Sequence, residues 1–217
     1  MDCARAESNL PPVLLTLIRH GPTEWNVTRR FQGRTDLPLS ERGRAHAVAI
    51  AEALREETID ALYSSDLARA METASAIAEP HAIAVVPDAR LREFDFGAWE
   101  GLTWDEIVAA NPHLAGRGST AAKLYAPQGG ESFEQVGARV ESFVSEARDR
   151  HSGGRIVVVT HAGPLHAALS LLGREHGIPS DNLSLRFTPG GITRIAFEPD
   201  GARLVELDSR HHLEAKG

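Results

Sequence analysis

The stretch VLLTLIRHGPTEWN, residues 13–26, decides how the chain is read. Val13 to Ile18 is an apolar run bounded by Pro12 and Gly21, the pattern of a buried strand. It stops at Arg19-His20. Side chains alternate faces on a regular strand, so these two could not share a pocket from inside one. The strand therefore ends near Arg19, with His20 in a turn that Gly21 permits. A cation and an imidazole then stand together at the carboxyl end of a core strand, where open α/β sheets bind ligands.

A second junction of the same kind follows RIVVVT, residues 155–160, the most apolar strand in the chain. It ends at His161-Ala162-Gly163-Pro164, and Pro164 suits the first turn of a helix. Backbone N–H groups at a helix start attract anions. Ala162 and Gly163 are small enough to let a ligand approach.

Between these junctions the pattern alternates. Ser40 caps a helix to about Arg55, and Ile59 to Tyr63 reads as a strand. Ser64-Ser65-Asp66 offers caps for a helix from Leu67 to about Glu79, closed by Pro80. Ala82 to Val86 is a further strand, Thr103 caps a helix to Ala110, and Glu131 to about Arg150 is a long helix. Strands at 182–188, 192–197 and 202–207 close the chain, and the tail from Ser209, with His211 and His212, reads as loose and polar. Such alternation predicts a three-layer α/β/α fold with a mostly parallel central sheet. The length fits a single domain over residues 1–217, and irregular residues 104–130 read as a substrate-covering region.

Several residues stand out for chemistry. Arg69 lies in the first turn of its helix, where a cation opposes the helix dipole. A residue that breaks a local rule is a candidate for function; the alternative is a solvated Arg paired with Asp66 or Glu72. The long connection 20–39 holds Thr23, Asn26, Gln32 and Gly33, all able to present donors to an anion. In LREFDFGAWEGLTWDEI, residues 91–107, Glu93 and Asp95 lie among aromatics. Desolvation there suits a proton donor, but alternation does not choose between two residues of the same parity. Two Arg, two His and a helix start in one pocket would make a concentrated positive site, and Arg matches phosphate oxygens with its planar fork.

LIRHGPTEWN, then FQGRTDLPLSERG, YSSDLARAMETA, LREFDFGAWEG and VVVTHAG, resembles the histidine phosphatase (phosphoglycerate mutase-like) superfamily. The likeness spans roughly residues 13–170, with every motif in order. It implies that His20 is the nucleophile and becomes a phosphohistidine. It implies that Arg19, Arg69 and His161 hold the phosphoryl oxygens, and that Glu93, rather than Asp95, is the proton donor. Asn26 and the Gln32-Gly33 backbone match positions that support the phosphate or orient the first histidine. No cofactor and no metal are implied, since the two Arg and His161 supply the positive charge. The family contains phosphatases and mutases. Its mutases carry longer insertions around the site, and PQGGESF at 127–133 is similar to the phosphatase branch, including α-ribazole phosphatase-like enzymes. Hydrolysis is therefore expected, with cofactor-dependent mutase-type transfer as the alternative. A non-catalytic phospho-ligand binding module would be expected to have lost His20 or Glu93.

The totals narrow the partners. A net charge of −7 argues against nucleic acid and acidic membranes, and no apolar stretch is long enough to span a bilayer. The polar start, MDCARAESNLPP, lacks the apolar segment of a signal peptide, and a single cysteine suits a reducing cytoplasm. The expected partner is a small phosphorylated metabolite, with a homodimer left open.

Overall fold

In the computed structural model, residues 12–117, 127–176 and 186–214 are described; for 171–176 only the backbone is. One six-stranded sheet runs in the order β3-β2-β4-β1-β5-β6. Its strands are β1 (Val13–Arg19), β2 (Ala61–Ser64), β3 (Val85–Pro87), β4 (Arg155–Thr160), β5 (Ile192–Glu198) and β6 (Gly201–Ser209). The first four are parallel, and β5 and β6 join antiparallel beside β1. The expected mostly parallel three-layer architecture is what forms.

Alternation along the central strands builds two cores. Leu15, Leu17, Ile156 and Val158 face α5 (Phe133–Arg150) and α6 (Ala162–His176). Ile18, Val157 and Val159 face the other way, onto Ile50 and Leu54 of α2 (Glu41–Leu54) and Ala74 and Ile77 of α3 (Ala68–His81). A strand buried on both faces is apolar along most of its length, which is why 13–18, save buried Thr16, and 156–159 read as near-continuous runs. Each such side chain contributes roughly 1.5–3 kcal/mol by burial.

Several boundaries differ from expectation for local reasons. The 20–39 connection contains a short helix, α1 (Glu24–Val27). Helix α3 continues one residue past Pro80 and closes at Ala82 in left-handed backbone (φ 51°), so β3 starts only at Val85. The strand expected at 182–188 falls partly on 182–185, outside the described residues, while 186–188 are irregular. The tail is not loose: α7 (His211–Glu214) packs on α2, and His212 Nε2 donates to the Gly190 carbonyl at 2.9 Å. Helix α4 (Trp104–Ala110) is capped by Thr103 as the sequence suggests. No helix among the described residues is long and apolar enough to cross a membrane.

Candidate active site

Parallel register brings three strand ends into line. Arg19 sits opposite Thr160, and Ser64 opposite Val159. The next residues, His20, Ser65 and His161, therefore emerge side by side. The His20 and His161 rings lie 4.9 Å apart, and both are buried. Gly21 keeps an ordinary backbone here. Its requirement is a close approach instead, because a Cβ would meet the Gly43 carbonyl oxygen of α2 at 2.5 Å.

The first imidazole has a defined tautomer. His20 Nδ1 lies 2.6 Å from the Gly21 carbonyl, which can only accept, so Nδ1 carries the hydrogen and Nε2 keeps its lone pair. Burial, then the charges of Arg69 and Arg19, hold His20 well below the ordinary imidazole range. It is a neutral base at neutral pH. His161 is pushed down the same way, by burial first and Arg69 second. Its Nε2 meets Ser65 Oγ at 2.8 Å, while its Nδ1 is buried with no partner.

Arg69 is fully buried, not solvated. Its Nη1 donates to the Thr35 carbonyl at 2.9 Å and its Nη2 to the Gly33 carbonyl at 2.8 Å, leaving Nε unpartnered. Burial lowers its pKa to about 10, so the charge remains at neutral pH. The carboxylates expected to pair with it are occupied: Asp66 binds Arg92, and Glu72 accepts from the Leu39 N–H. Nor does Ser64-Ser65-Asp66 cap α3 as expected. Asp36 reaches over from the loop to accept from the Ala68 N–H at 2.7 Å. Arg19 donates through Nη1 to the Phe187 carbonyl, and burial lowers its pKa while Glu93 and Asp208 oppose that shift.

Of the two carboxylates left open by alternation, Glu93 enters the cavity. Its Oε1 accepts from the Gly163 N–H at 2.9 Å and the Phe94 N–H at 3.0 Å. That leaves Oε2 as the oxygen free to carry a proton. The Gly163 amide at the start of α6 is thus taken by Glu93, where the sequence suggested it would meet an anion directly. Asp95 turns away, accepting from the Gly97 N–H and pairing with Arg34.

A cavity of about 890 Å³ opens over these groups. Arg19, His20, Asn26, Gln32, Gly33, Arg69, Glu93 and Ala162 line it, so most of the expected residues converge. Thr23 does not reach its wall. Thr23 is buried and its hydroxyl and N–H both donate to Asn26 Oδ1, at 3.2 and 2.9 Å, around the start of α1. His161, fully buried, is not on the wall either; its ring packs against that of His20. Trp104 and Asp105 of α4 and Arg186 form part of the mouth, while Lys123 and Tyr125 lie outside the described residues.

Sequence reading missed the supports. Glu100 accepts from the Arg34 N–H (2.8 Å), the Thr35 N–H (2.9 Å), the Thr35 hydroxyl (2.6 Å) and the Phe96 N–H (3.2 Å). It fixes the loop whose Gly33 and Thr35 carbonyls hold Arg69, and its carboxylate fills the space a Cβ on Gly33 would need. Arg139 of α5 donates to the carbonyls of Arg90, Arg92 and Glu93. Nothing in an amphipathic helix pattern distinguishes that Arg from its solvated neighbours. His166 is buried at the cavity edge against Phe187.

A neutral imidazole beside fixed cations, with a carboxylate lining the same cavity, is a site that can move a phosphoryl group. The sequence model of the histidine phosphatase superfamily (branch 1) matches residues 15–210, and the chain belongs to that superfamily. Phosphoserine phosphatase 1 of Hydrogenobacter thermophilus is 40% identical over 155 residues, which are 71% of this chain and 74% of the relative. Glucosyl-3-phosphoglycerate phosphatase of Mycobacterium tuberculosis is 43% identical over 166 residues, 72% and 73% of the two chains. The solved structure of Bacillus stearothermophilus YhfR superposes with a TM-score of 0.84 at 35% identity, covering 93% of this chain and all of that one. The chain is an enzyme of the phosphomonoesterase type.

Proposed function

We propose that His20 carries the phosphoryl group during hydrolysis of a small phosphorylated metabolite. The carrying observation is the His20 Nδ1–H bond to the Gly21 carbonyl, which leaves a lone pair on Nε2 beside half-buried Arg19 and buried Arg69 and His161. In the first step Nε2 attacks phosphorus and the ester P–O bond breaks. Glu93 Oε2 gives its proton to the departing alkoxide, and the alcohol leaves. In the second, ionised Glu93 takes a proton from water, whose oxygen attacks phosphorus. The P–N bond breaks, phosphate leaves and His20 recovers its lone pair. Arg19, Arg69 and His161 bind the non-bridging oxygens, where fixed charge contributes most. Asn26, Gln32, Gly33 and Ala162 frame the bound group, and Trp104 and Asp105 lie on the leaving-group side of a single domain.

The leaving group is best read as a carboxylate-bearing alcohol. Arg186 is exposed at the mouth and makes no ion pair among the described residues. Phosphoserine and glucosyl-3-phosphoglycerate, named in the two relatives, both carry a carboxylate. In chelator-treated buffer the enzyme should release phosphate from phosphoserine, and His20→Ala should abolish both turnover and phosphoenzyme formation. Turnover surviving in His20→Ala would refute the covalent step. Phosphoryl transfer between phosphoglycerates outpacing phosphate release would replace hydrolysis by mutase chemistry.

A further inference from the structure

We infer that Asp208, on the last strand, is a positioning residue for Arg19 and His20, acting through the turn Phe187–Gly191. The inference rests on the phosphoryl-transfer reading above. Asp208 does not line the cavity, so it does not touch the substrate.

Arg19 and His20 leave β1 where sheet pairing ends, and the turn takes over. The Gly190 N–H is shared between the carbonyls of Arg19 (2.9 Å) and His20 (3.1 Å), and the Arg19 N–H donates to the Gly191 carbonyl at 3.2 Å. The Phe187 carbonyl holds the Arg19 guanidinium. One five-residue turn thus fixes the backbone of both residues and the side chain of the first. Asp208 ties that turn down: Oδ1 accepts from the Thr188 N–H and Oδ2 from the Thr188 hydroxyl, both at 2.8 Å. Its Oδ1 also fills the space a Cβ on Gly191 would need.

The strand is bent to deliver this carboxylate. Ile192 pairs with Ser209 and Arg194 with Glu206, so Leu207 and Asp208 together oppose Thr193. Two residues against one is a β-bulge, a device that re-aims a side chain and recurs beside active sites. Asp208 adopts left-handed backbone, φ 45°, a region that Asp tolerates better than most residues with a side chain. Its N–H is anchored on the buried Thr193 hydroxyl at 3.1 Å. A regular strand would point this carboxylate elsewhere. His46 Nδ1 on the Pro189 carbonyl (3.1 Å) and His212 Nε2 on the Gly190 carbonyl brace the same turn from outside.

The test compares Asp208→Gly, Asp208→Asn and wild type as full chains. Glycine relieves the left-handed backbone while deleting the carboxylate. Asparagine keeps an oxygen for the Thr188 N–H and accepts left-handed backbone. Readouts are kcat and KM with p-nitrophenyl phosphate, Ki for inorganic phosphate, and Tm. Misplacing reacting groups by about 1 Å costs on the order of 100-fold, so Asp208→Gly should lose at least about 5-fold in kcat/KM and weaken phosphate binding. Asp208→Asn should restore most of it, at unchanged Tm. A smaller loss in a folded Asp208→Gly, or an equal loss in Asp208→Asn, overturns the positioning role. Should Asp208→Gly not fold, Thr188→Val removes one of the two bonds, and unchanged phosphate binding there overturns it. His20→Ala is the separate control: activity in that variant refutes the covalent reading itself, whereas a silent Asp208→Gly beside an inactive His20→Ala refutes only the present inference.

Discussion

Replacing Gly163 by alanine puts a methyl group where Glu93 and Phe94 already sit. The new Cβ would lie 2.6 Å from Phe94 Cε2 and closer still to Phe94 Cδ2 and Glu93 Oε1. Ordinary carbon contacts are about 3.5–4.0 Å, so something must move by about 1 Å. Backbone cannot, since Gly163 opens α6 directly after β4. The Phe94 ring and the Glu93 carboxylate must both shift, and with the carboxylate goes its bond from the Gly163 N–H. Overpacking of this kind costs about 1–3 kcal/mol, or a Tm lower by roughly 2–12 °C at this chain length. The kinetic cost is larger and selective. A proton donor misplaced by about 1 Å loses on the order of 100-fold where the leaving group needs protonation. Phosphoserine expels a serine alkoxide that needs the proton, whereas p-nitrophenolate leaves with little help. The assay is kcat/KM for both substrates on wild type and Gly163→Ala, with Tm recorded on the same samples. The expected result is a phosphoserine loss at least tenfold greater than the p-nitrophenyl phosphate loss. Equal losses would mean that Glu93 is not the group displaced, or not the proton donor, and would refute the reasoning.

Arg69→Lys keeps the charge but cannot reach the Gly33 and Thr35 carbonyls and the phosphate together, so kcat/KM should fall about 10²–10³-fold; a fall under tenfold would deny it a direct role. His20 and His161 are held below the ordinary imidazole range by burial, then by neighbouring Arg69. The unfolded chain takes up protons below about pH 6.5 that the folded chain refuses. Stability is thus full above that pH and lost as pH falls, by up to about 1.4 kcal/mol per unit for each imidazole. Urea unfolding from about pH 7.5 to 5.5 should show a shallower slope for His161→Asn; an identical slope would contradict neutral burial. Arg186→Ala should raise KM for phosphoserine about tenfold, roughly 1.4 kcal/mol, and leave p-nitrophenyl phosphate nearly unchanged; equal shifts would remove the carboxylate contact.

What could be read from the chain was whatever local pattern encodes. The abrupt ends of 13–18 and 155–160 located His20 and His161, because a strand buried on both faces is largely apolar until it reaches its site. Arg69 was legible because it violates the helix dipole. Thr23 was not, since the same hydroxyl serves an anion or a helix cap, and here it serves Asn26. The choice of Glu93 over Asp95 needed family likeness, then coordinates, because parity treats them alike. Phe187 and Asp208 were invisible for a different reason. The Phe187 contact is a backbone carbonyl 168 residues from Arg19, and carbonyls leave no mark in sequence. Asp208 matters through a bulge, which breaks the very periodicity used to find strands.

The arrangement also explains how an acidic protein keeps a positive hole at its centre. Burying a guanidinium costs free energy unless its N–H groups find acceptors. Carboxylates would satisfy them but cancel the charge. Arg69 is met instead by the Gly33 and Thr35 carbonyls, and Arg19 by the Phe187 carbonyl. These are dipoles, which take some of the donors, leave Nε of both arginines unpartnered and leave the full charge for a phosphoryl group. Asp66, three residues before Arg69, is diverted onto Arg92, and Glu100 acts at one remove by bracing the carbonyl-bearing loop. Asp208 follows the same rule: its carboxylate binds Thr188, not Arg19, so it shapes the collar without filling the hole. Around this site Glu100 and Asp208 position carbonyls, and those carbonyls position the cations.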